Sequence, residues 1–367
     1  MCEKTLIIYQ VFWRKLNSTI LHFVDERTCK NSPARLSELL RYHALWLFGL
    51  AATLFFNLSC TLHSPQKCSQ DFAEERDPEI FRQTLSHDFT PVQGIPKLMV
   101  YRCNLPPTDG DQRAAFNRPV LVLHEYDHLS IACLRFAERL SHEGFTVYVP
   151  VLFGKTDGKA GLGTTIATTL ELLMSPDWHA LFGEHQHQPI TDSLAVICRK
   201  ISADHQHRGI GVIGMCLTGA LPISLLSENC VVAPVIAQLS IPLFCFTPEG
   251  KRAPGISPTE LFAAATRAKR EQLQVFGTRY EKDSIGTKER FDAIHKAFGD
   301  DCFLDHTIDA ADYLQPKWGL TDKAHATLTL CYKDSPDDYP PRHLFLDLVT
   351  FLKKQLDQHG NLSVTNQ

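Results

Sequence analysis

The sequence predicts an α/β protein in which helices cover both faces of a mostly parallel β-sheet. From about residue 96 onward, short apolar runs alternate with amphipathic stretches. Several of the runs are apolar throughout, as expected for strands that are buried on both faces. Apolar residues make up 44% of the 367 residues and charged residues 21%. This composition excludes a disordered chain and provides enough material for a large core.

The predicted elements of the domain, residues 91–358, follow one another along the chain. Residues 97–103 and 119–125 are strand-like and flank a turn cluster, which predicts a hairpin at the first edge of the sheet. Further helices are predicted at 129–142, 191–203, 216–227, 258–271, 284–298 and 344–356, and further strands at 144–153, 209–215, 231–238, 273–277 and 302–308. Residues 359–367 form a C-terminal tail.

Periodicity and stop signals define these elements. The helix at 129–142 carries apolar residues at helical spacing and ends before Gly144, a typical capping residue. The segment 144–153 is rich in β-branched and aromatic residues, which favour a strand. The helix at 258–271 opens with Ser257 followed by proline, a typical helix start.

The first ninety residues are predicted to lie outside this domain. Residues 1–43 have no assigned role, residues 44–62 are strongly apolar, and residues 63–90 are polar and typical of a linker that contains one short helix. The apolar stretch fits a cleaved signal, a lipoprotein signal or a retained anchor, and Lys and Arg are more frequent before it than after it. We therefore expect an exported or membrane-associated protein. The alternative is a buried core helix, which would make the protein cytoplasmic.

Charge and cysteine content exclude other classes of protein. The formal net charge is −4, so no basic excess exists to neutralise phosphates, and no nucleic-acid partner is predicted. The 12 cysteines form no C-x-x-C pair, which argues against a Cys-rich zinc site. The His-x-His stretches at His185 and His205 lack acidic or thiol partners at fixed spacing, and we expect them to be solvated loops.

The ends of the predicted strands are where chemistry is expected, because ligands bind beyond the carboxyl ends of parallel strands. One strand ends in Gly214-Met215-Cys216-Leu217-Thr218-Gly219 and leads into a predicted helix. A nucleophilic residue at the apex of a strand–turn–helix is typical of a nucleophile elbow, where the helix terminus stabilises a thiolate. The alternative for so short a motif is a core cysteine.

Later strand ends carry an acid and a base. Asp283 follows the strand at 273–277, and His325 follows the strand at 302–308 after an irregular stretch. The chain order Cys216, Asp283, His325 is that of the α/β-hydrolase triad. Glu281 competes with Asp283, but it lies closer to the strand end and is less suited to reach the base. A further carboxylate, Glu125, ends the strand at 119–125.

Over roughly residues 93–357 the sequence resembles the dienelactone hydrolase family. The resemblance lies in a strand followed by His-Glu, then Gly-x-Cys-x-x-Gly, and then Asp and His in this order. This resemblance implies an α/β-hydrolase fold and cysteine-dependent cleavage of esters or lactones through an acyl-enzyme, with neither a metal nor an organic cofactor. It implies the following roles: Cys216 as nucleophile, His325 as base, Asp283 as orienting acid, Glu125 as the contact of the resting thiol, and the backbone N–H groups of Tyr126 and Leu217 as the oxyanion hole.

Two departures from the family pattern affect the substrate. Thr218 stands where the usual elbow has glycine, and Thr329 and Lys155 stand where arginines would hold a substrate carboxylate. We therefore expect a small-molecule ester or lactone, but not dienelactone itself. There are two alternatives. One is a non-catalytic, membrane-tethered binding protein of the same fold, and the other is a thioester or peptide hydrolase of that fold. The sequence does not predict the oligomeric state.

Overall fold

An eight-stranded β-sheet forms the centre of the computed structural model, which describes residues 77–95, 97–106, 118–126, 128–154, 162–178, 186–240 and 248–360. The strands are β1 (Phe89–Pro91), β2 (Val100–Cys103), β3 (Pro119–Leu123), β4 (Thr146–Pro150), β5 (Ile210–Met215), β6 (Val231–Ala237), β7 (Val275–Tyr280) and β8 (Phe303–Ile308). Their order in space is β1-β2-β4-β3-β5-β6-β7-β8. The pairs β1–β2 and β2–β4 are antiparallel, and all other pairs are parallel.

Ten α-helices surround the sheet in the described part of the chain. They are α1 (Pro78–Asp88), α2 (Ile131–His142), α3 (Leu162–Met174), α4 (Ile190–Asp204), α5 (Leu221–Ser224), α6 (Pro248–Arg252), α7 (Pro258–Glu271), α8 (Lys288–Phe298), α9 (Ala310–Tyr313) and α10 (Pro340–His359). Three 3-10 turns, Cys216–Thr218, Leu225–Ser227 and Pro316–Trp318, complete the described helical structure.

The helices form one layer on each face of the sheet. Helices α2 and α10 meet through Phe136 and Phe345, whose ring centroids are 6.3 Å apart, while α5 packs on α7 and α7 on α8. In β5, Gly211 faces Leu352 of α10, and Gly214 faces Pro222 of α5. Residues three apart on a strand point to opposite faces, so these two layers lie on opposite sides. The predicted fold class is confirmed, and the strand order is that of the α/β-hydrolase fold.

The first edge of the sheet differs from the predicted hairpin. Strand β2 pairs with β1 and β4, and it does not pair with β3. Strand β3 is buried along its whole length and takes the parallel partners β4 and β5. A central strand of this kind has no free edge for β2, which therefore lies two places away from β3.

Helix α1 and strand β1 occupy the last part of the segment 63–90 that is expected to be a linker, with β1 ending at Pro91. Helix α1 starts after Asp77, whose side chain accepts a hydrogen bond from the Glu79 N–H, and buries Phe81. Strand β1 follows directly and joins the sheet. Because α1 buries few residues and is otherwise polar, its sequence resembles a linker.

Several predicted features lie outside the described residues. These are the segments 1–43 and 44–62, the first part of the predicted linker, Lys155, His185 and the end of the C-terminal tail. Within the part of the chain that the structure describes, no helix combines the length and the apolar character needed to cross a membrane.

An ion pair connects the segment before α4 to the start of α7. His187 Nδ1 lies 2.7 Å from Glu260 Oε1, and the Glu260 carboxylate also accepts hydrogen bonds from Ser257 in a capping box. Burial acts to lower the pKa of His187, but its hydrogen bond with Glu260 raises it, and the net shift is upward. While Glu260 is ionised, protonated His187 therefore contributes stability that is complete below the unfolded pKa of His and is lost as pH rises through the folded pKa of His187.

We expect His187→Ala to lower the free energy of unfolding by about 0.5 kcal/mol near pH 6, a small effect because His187 is partly exposed. Near pH 9 the loss should be much smaller, because the imidazole is then neutral. Urea unfolding of both proteins at the two pH values measures the difference. In a Glu260→Gln background the effect of His187→Ala should shrink. An equal loss at both pH values would contradict this account.

Candidate active site

The sharp turn after β5 presents Cys216 at the carboxyl edge of the sheet. Cys216 is the first residue beyond β5 and has a φ of 54°, which is uncommon for a residue other than glycine. A side chain at position 214 would meet Pro222 Cδ at 2.7 Å, so only glycine fits there. Cys216 is 9% exposed. The local sequence thus forms a tight elbow in which Cys216 keeps a small exposed fraction.

Thr218 fixes this elbow to the neighbouring strand. Its buried hydroxyl accepts a hydrogen bond from the Met215 N–H at 3.0 Å. The same hydroxyl lies within hydrogen-bonding distance of three carbonyl oxygens, those of Met215, Leu123 and His124, at 3.0 to 3.3 Å. A hydroxyl has one proton to donate, so it donates to one of these three carbonyl oxygens at a time. The departure from glycine at this position therefore adds a polar link between the ends of β3 and β5.

The predicted helix at 216–227 is instead three short pieces. The chain forms the 3-10 turn Cys216–Thr218, then α5, then the 3-10 turn Leu225–Ser227. Pro222 lies at the start of α5, where its ring packs against Gly214. The residues that join these pieces, Gly219, Ala220 and Leu225, keep right-handed helical dihedral angles, so the segment is one irregular run of helical turns that starts at Cys216.

Asp283 and His325 form a hydrogen-bonded pair. His325 Nδ1 lies 2.7 Å from Asp283 Oδ2. The other carboxylate oxygen, Oδ1, accepts hydrogen bonds from the Ile285 N–H at 2.9 Å and the Gly286 N–H at 3.0 Å. A side chain at position 286 would meet Asp283 Oδ2 at 2.7 Å, so glycine is required there. The acid is thus fixed in orientation before it meets the imidazole.

The Asp283–His325 pair lies beside Cys216. Burial acts to lower the pKa of His325, but the Asp283 carboxylate and the Cys216 sulfur raise it, and the net result is well above the usual value. His325 Nε2 is buried without a hydrogen bond of ordinary geometry among the described residues, and the Cys216 side chain is a neighbour that interacts with this imidazole. The structure therefore brings the three predicted triad residues together and leaves the outer imidazole nitrogen available.

Glu281, the competing acid, serves a different purpose. Its Oε2 accepts a hydrogen bond from the Ala310 N–H at 2.7 Å, at the start of α9. This carboxylate therefore caps a helix, and Asp283 is the acid that contacts the imidazole.

Glu125 lies in a polar network behind the site. Its Oε1 accepts hydrogen bonds from Gln238 Nε2 at 2.6 Å and from Thr329 Oγ1 at 2.9 Å. Thr327 Oγ1 in turn donates to Gln238 Oε1 at 2.8 Å. Burial raises the pKa of Glu125, while His325 and the two hydrogen bonds partly oppose that shift. Thr329, where the family pattern has an arginine, is thus a neutral donor to this carboxylate.

The structure places the predicted oxyanion-hole residues on adjacent strand ends. Leu123 of β3 is paired with Gly214 of β5, and both Tyr126 and Leu217 lie three residues beyond that pair. The Tyr126 hydroxyl donates to the Thr165 carbonyl in α3 at 3.1 Å and contacts Thr169. Both residues therefore lie beyond the same edge of the sheet, and the Tyr126 side chain is anchored to α3.

Two residues after β6 belong to the site but were missed by the sequence analysis. Gln238 has a φ of 36° and is fully buried, and Ser240 Oγ lies 3.3 Å from Cys216 Sγ. This segment follows a parallel strand, and ligands bind beyond the carboxyl ends of such strands. The rule that selects the other site residues therefore also points to this segment. The residues themselves, Gln-Leu-Ser, carry no motif.

Two buried arginines support the loops that carry these groups. Their guanidinium groups donate to backbone carbonyl oxygens: Arg279 to Tyr280 (2.8 Å), Glu281 (3.2 Å) and Gly286 (3.3 Å), and Arg290 to Leu239 (3.2 Å), Ile285 (3.2 Å) and Gly250 (3.4 Å). Arg290 therefore connects the loop of Asp283 with the segment of Ser240.

The histidine stretches take part in other contacts. His205 Nε2 lies 2.9 Å from the Tyr148 hydroxyl, and His187 is paired with Glu260. Among the residues that the structure describes, no group of three or more His, Cys, Asp or Glu side chains is placed to hold a metal ion.

No family model matches the sequence, and no curated protein does so. Similar solved structures include a candidate dienelactone hydrolase from Klebsiella pneumoniae, with 14% identity, 72% of this chain and 98% of that chain covered and a TM-score of 0.46. An esterase from Pyrococcus furiosus has 14% identity, 75% and 95% coverage and a TM-score of 0.40. An α/β serine hydrolase without a lid from Xanthomonas campestris has 11% identity, 76% and 97% coverage and a TM-score of 0.40. The fold assignment rests on the strand order of the sheet itself.

We expect Thr218→Val to lower the free energy of unfolding by about 1–3 kcal/mol, because it leaves the buried Met215 N–H without its acceptor. Urea unfolding measures the change. Thr218→Ser keeps the hydroxyl and should recover most of the loss, and Thr266→Val, on the exposed face of α7, is the matched control. Equal stability of the valine and serine variants would contradict a role for the hydroxyl.

Proposed function

We propose that this protein is a hydrolase that cleaves a small carboxylic ester or lactone with Cys216 as nucleophile. The observation that carries the proposal is the 2.7 Å hydrogen bond between His325 and Asp283, formed beside a sulfur at the apex of a positive-φ elbow. The nucleophile, the base and the orienting acid follow three separate strands, and folding alone does not require these side chains to lie close together. Their meeting is typical of a catalytic triad.

The first half of the reaction forms a thioester. The Cys216 thiolate attacks the carbonyl carbon, and the carbonyl electrons move to the oxygen, which the N–H groups of Tyr126 and Leu217 stabilise. The carbon–oxygen bond to the alcohol portion then breaks. The departing alkoxide takes the proton from His325 Nε2, which leaves a neutral imidazole.

The second half releases the acid. Water gives a proton to His325 Nε2 as its oxygen attacks the thioester carbon, and the carbon–sulfur bond breaks. The carboxylic acid leaves, and the thiolate and imidazolium are restored. Asp283 supports the imidazolium in both halves, consistent with the raised pKa of His325. Glu125, held by Gln238 and Thr329, adjusts the charge around the nucleophile.

We expect Cys216→Ala to reduce hydrolysis of a small aryl ester by at least about a thousandfold, because it removes the proposed nucleophile. The measurement is kcat/KM, together with iodoacetamide labelling of the peptide that contains residue 216. Cys302→Ala, a free cysteine before β8, is the matched control and should retain activity. Full activity of Cys216→Ala would contradict the proposed mechanism. A wild type that is inactive and whose Cys216 does not react with iodoacetamide would favour a binding protein.

We expect Asp283→Asn to lower kcat/KM by roughly 10²- to 10⁴-fold and to move the basic limb of its pH profile to lower pH. The carboxylate raises the pKa of His325, so its removal makes the imidazolium lose its proton earlier. An alkyl ester is the suitable substrate, since its alkoxide needs that proton to leave. Asp292→Asn, on the exposed face of α8, is the control. A basic limb that stays in place in Asp283→Asn would argue against the pairing.

A further inference from the structure

Ser240 provides a hydroxyl group next to the proposed nucleophile. Its Oγ lies 3.3 Å from Cys216 Sγ, and among the described residues this sulfur is the one hydrogen-bond partner of the hydroxyl. Ser240 is 3% exposed. A buried hydroxyl of this kind is expected to use its proton in a hydrogen bond.

The direction of this hydrogen bond follows from the chemistry of the two groups. A thiol is a weak donor, whereas a serine hydroxyl is an ordinary donor, and a thiolate has no proton to give. If the sulfur donated to Ser240, the serine proton would lack an acceptor among the described residues. In the thiolate–imidazolium pair of the proposed mechanism the sulfur has no proton to give, so it faces two donors, the Ser240 hydroxyl and the protonated Nε2 of His325. This second arrangement gives the protons of both Ser240 and His325 an acceptor.

A second hydrogen bond fixes Ser240 in this position. The Ser240 N–H donates to the Cys216 carbonyl oxygen at 3.1 Å, and Arg290 binds the carbonyl of the preceding residue, Leu239, at 3.2 Å. The hydroxyl is therefore held against the elbow by the backbone and does not depend on its own side-chain bond for its place.

We propose that Ser240 is a positioning residue whose hydroxyl donates a hydrogen bond to the Cys216 sulfur, which stabilises the thiolate and directs it toward His325. The inference rests on the proposed function for its purpose, since it assigns how the nucleophile of that site is prepared. A hydrogen bond to a charged acceptor is about twice as strong as one between neutral groups. The bond therefore favours the thiolate over both the thiol and the later thioester, in which the sulfur carries no charge.

The experiment is the pH dependence of alkylation at Cys216, followed by mass spectrometry of its peptide after exposure to iodoacetamide. In Ser240→Ala we expect the midpoint of this dependence to move to higher pH by about one unit, because the thiolate loses a charge-assisted donor. The backbone bond from residue 240 to the Cys216 carbonyl survives in this variant. Ser240→Thr restores a hydroxyl and should return the midpoint toward that of the wild type.

The controls separate this effect from a loss of structure. Ser202→Ala removes an equally buried hydroxyl that binds the Arg208 carbonyl near the opposite end of β5, and it should leave the midpoint unchanged. If Ser240→Ala does not fold, the pair Ser240→Thr and Ser240→Val compares two side chains of the same shape with and without the hydroxyl. A midpoint that is the same in these two, or the same in Ser240→Ala and the wild type, would overturn the proposal.

Alkylation requires no substrate, so it tests Ser240 separately from the proposed function. A wild type without ester hydrolysis would count against the proposed function, while a shifted midpoint in Ser240→Ala would still support the assignment of Ser240. Conversely, an active wild type with an unshifted midpoint in Ser240→Ala would overturn the assignment and leave the hydrolase proposal intact.

Discussion

The close approach of β5 to the segment that follows it is the constraint on which the site depends. The chain must reverse between Gly214 and Pro222 in a space that excludes any side chain at position 214, and Cys216 takes an uncommon backbone conformation as a result. The surrounding sheet maintains this turn, with Thr218 as the polar link to β3. A strained residue persists only where its surroundings determine its conformation, and here the surroundings are the strands that carry the other site residues.

The rest of the site is built from loops that are held by their own backbone groups. The loop after β7 binds the Asp283 carboxylate through two N–H groups, while Arg279 and Arg290 bind its carbonyl oxygens. Arg290 extends this arrangement to the segment after β6. Buried polar groups that are well supplied with partners form a rigid support, and a triad needs such a support because its distances must be kept within a fraction of an ångström.

The sequence allowed the sheet and three site residues to be predicted, for separate reasons. Apolar runs identify the buried strands, and the rule that chemistry follows strand ends selects Cys216, Asp283 and His325. Ser240 and Gln238 were not predicted as site residues because Gln-Leu-Ser carries no motif. Their place in the site becomes visible only when β6 lies beside β5. Helix α1 is the short helix expected within the linker, but its attachment to the domain was not predicted because few of its residues are buried. The irregularity of the segment 216–227 was not predicted because periodicity does not register the packing of Pro222 against Gly214.

The attachment of Tyr126 to α3 joins the rim of the site to its centre. The Tyr126 backbone lies three residues beyond the end of β3, and its hydroxyl is anchored to Thr165 and Thr169 on α3. Under the proposed mechanism, a shift of that helix would be transmitted to the Tyr126 amide, which would contact the reacting carbonyl. Substitutions on α3 would then offer a route by which substrate range and turnover change while Cys216, Asp283 and His325 stay untouched.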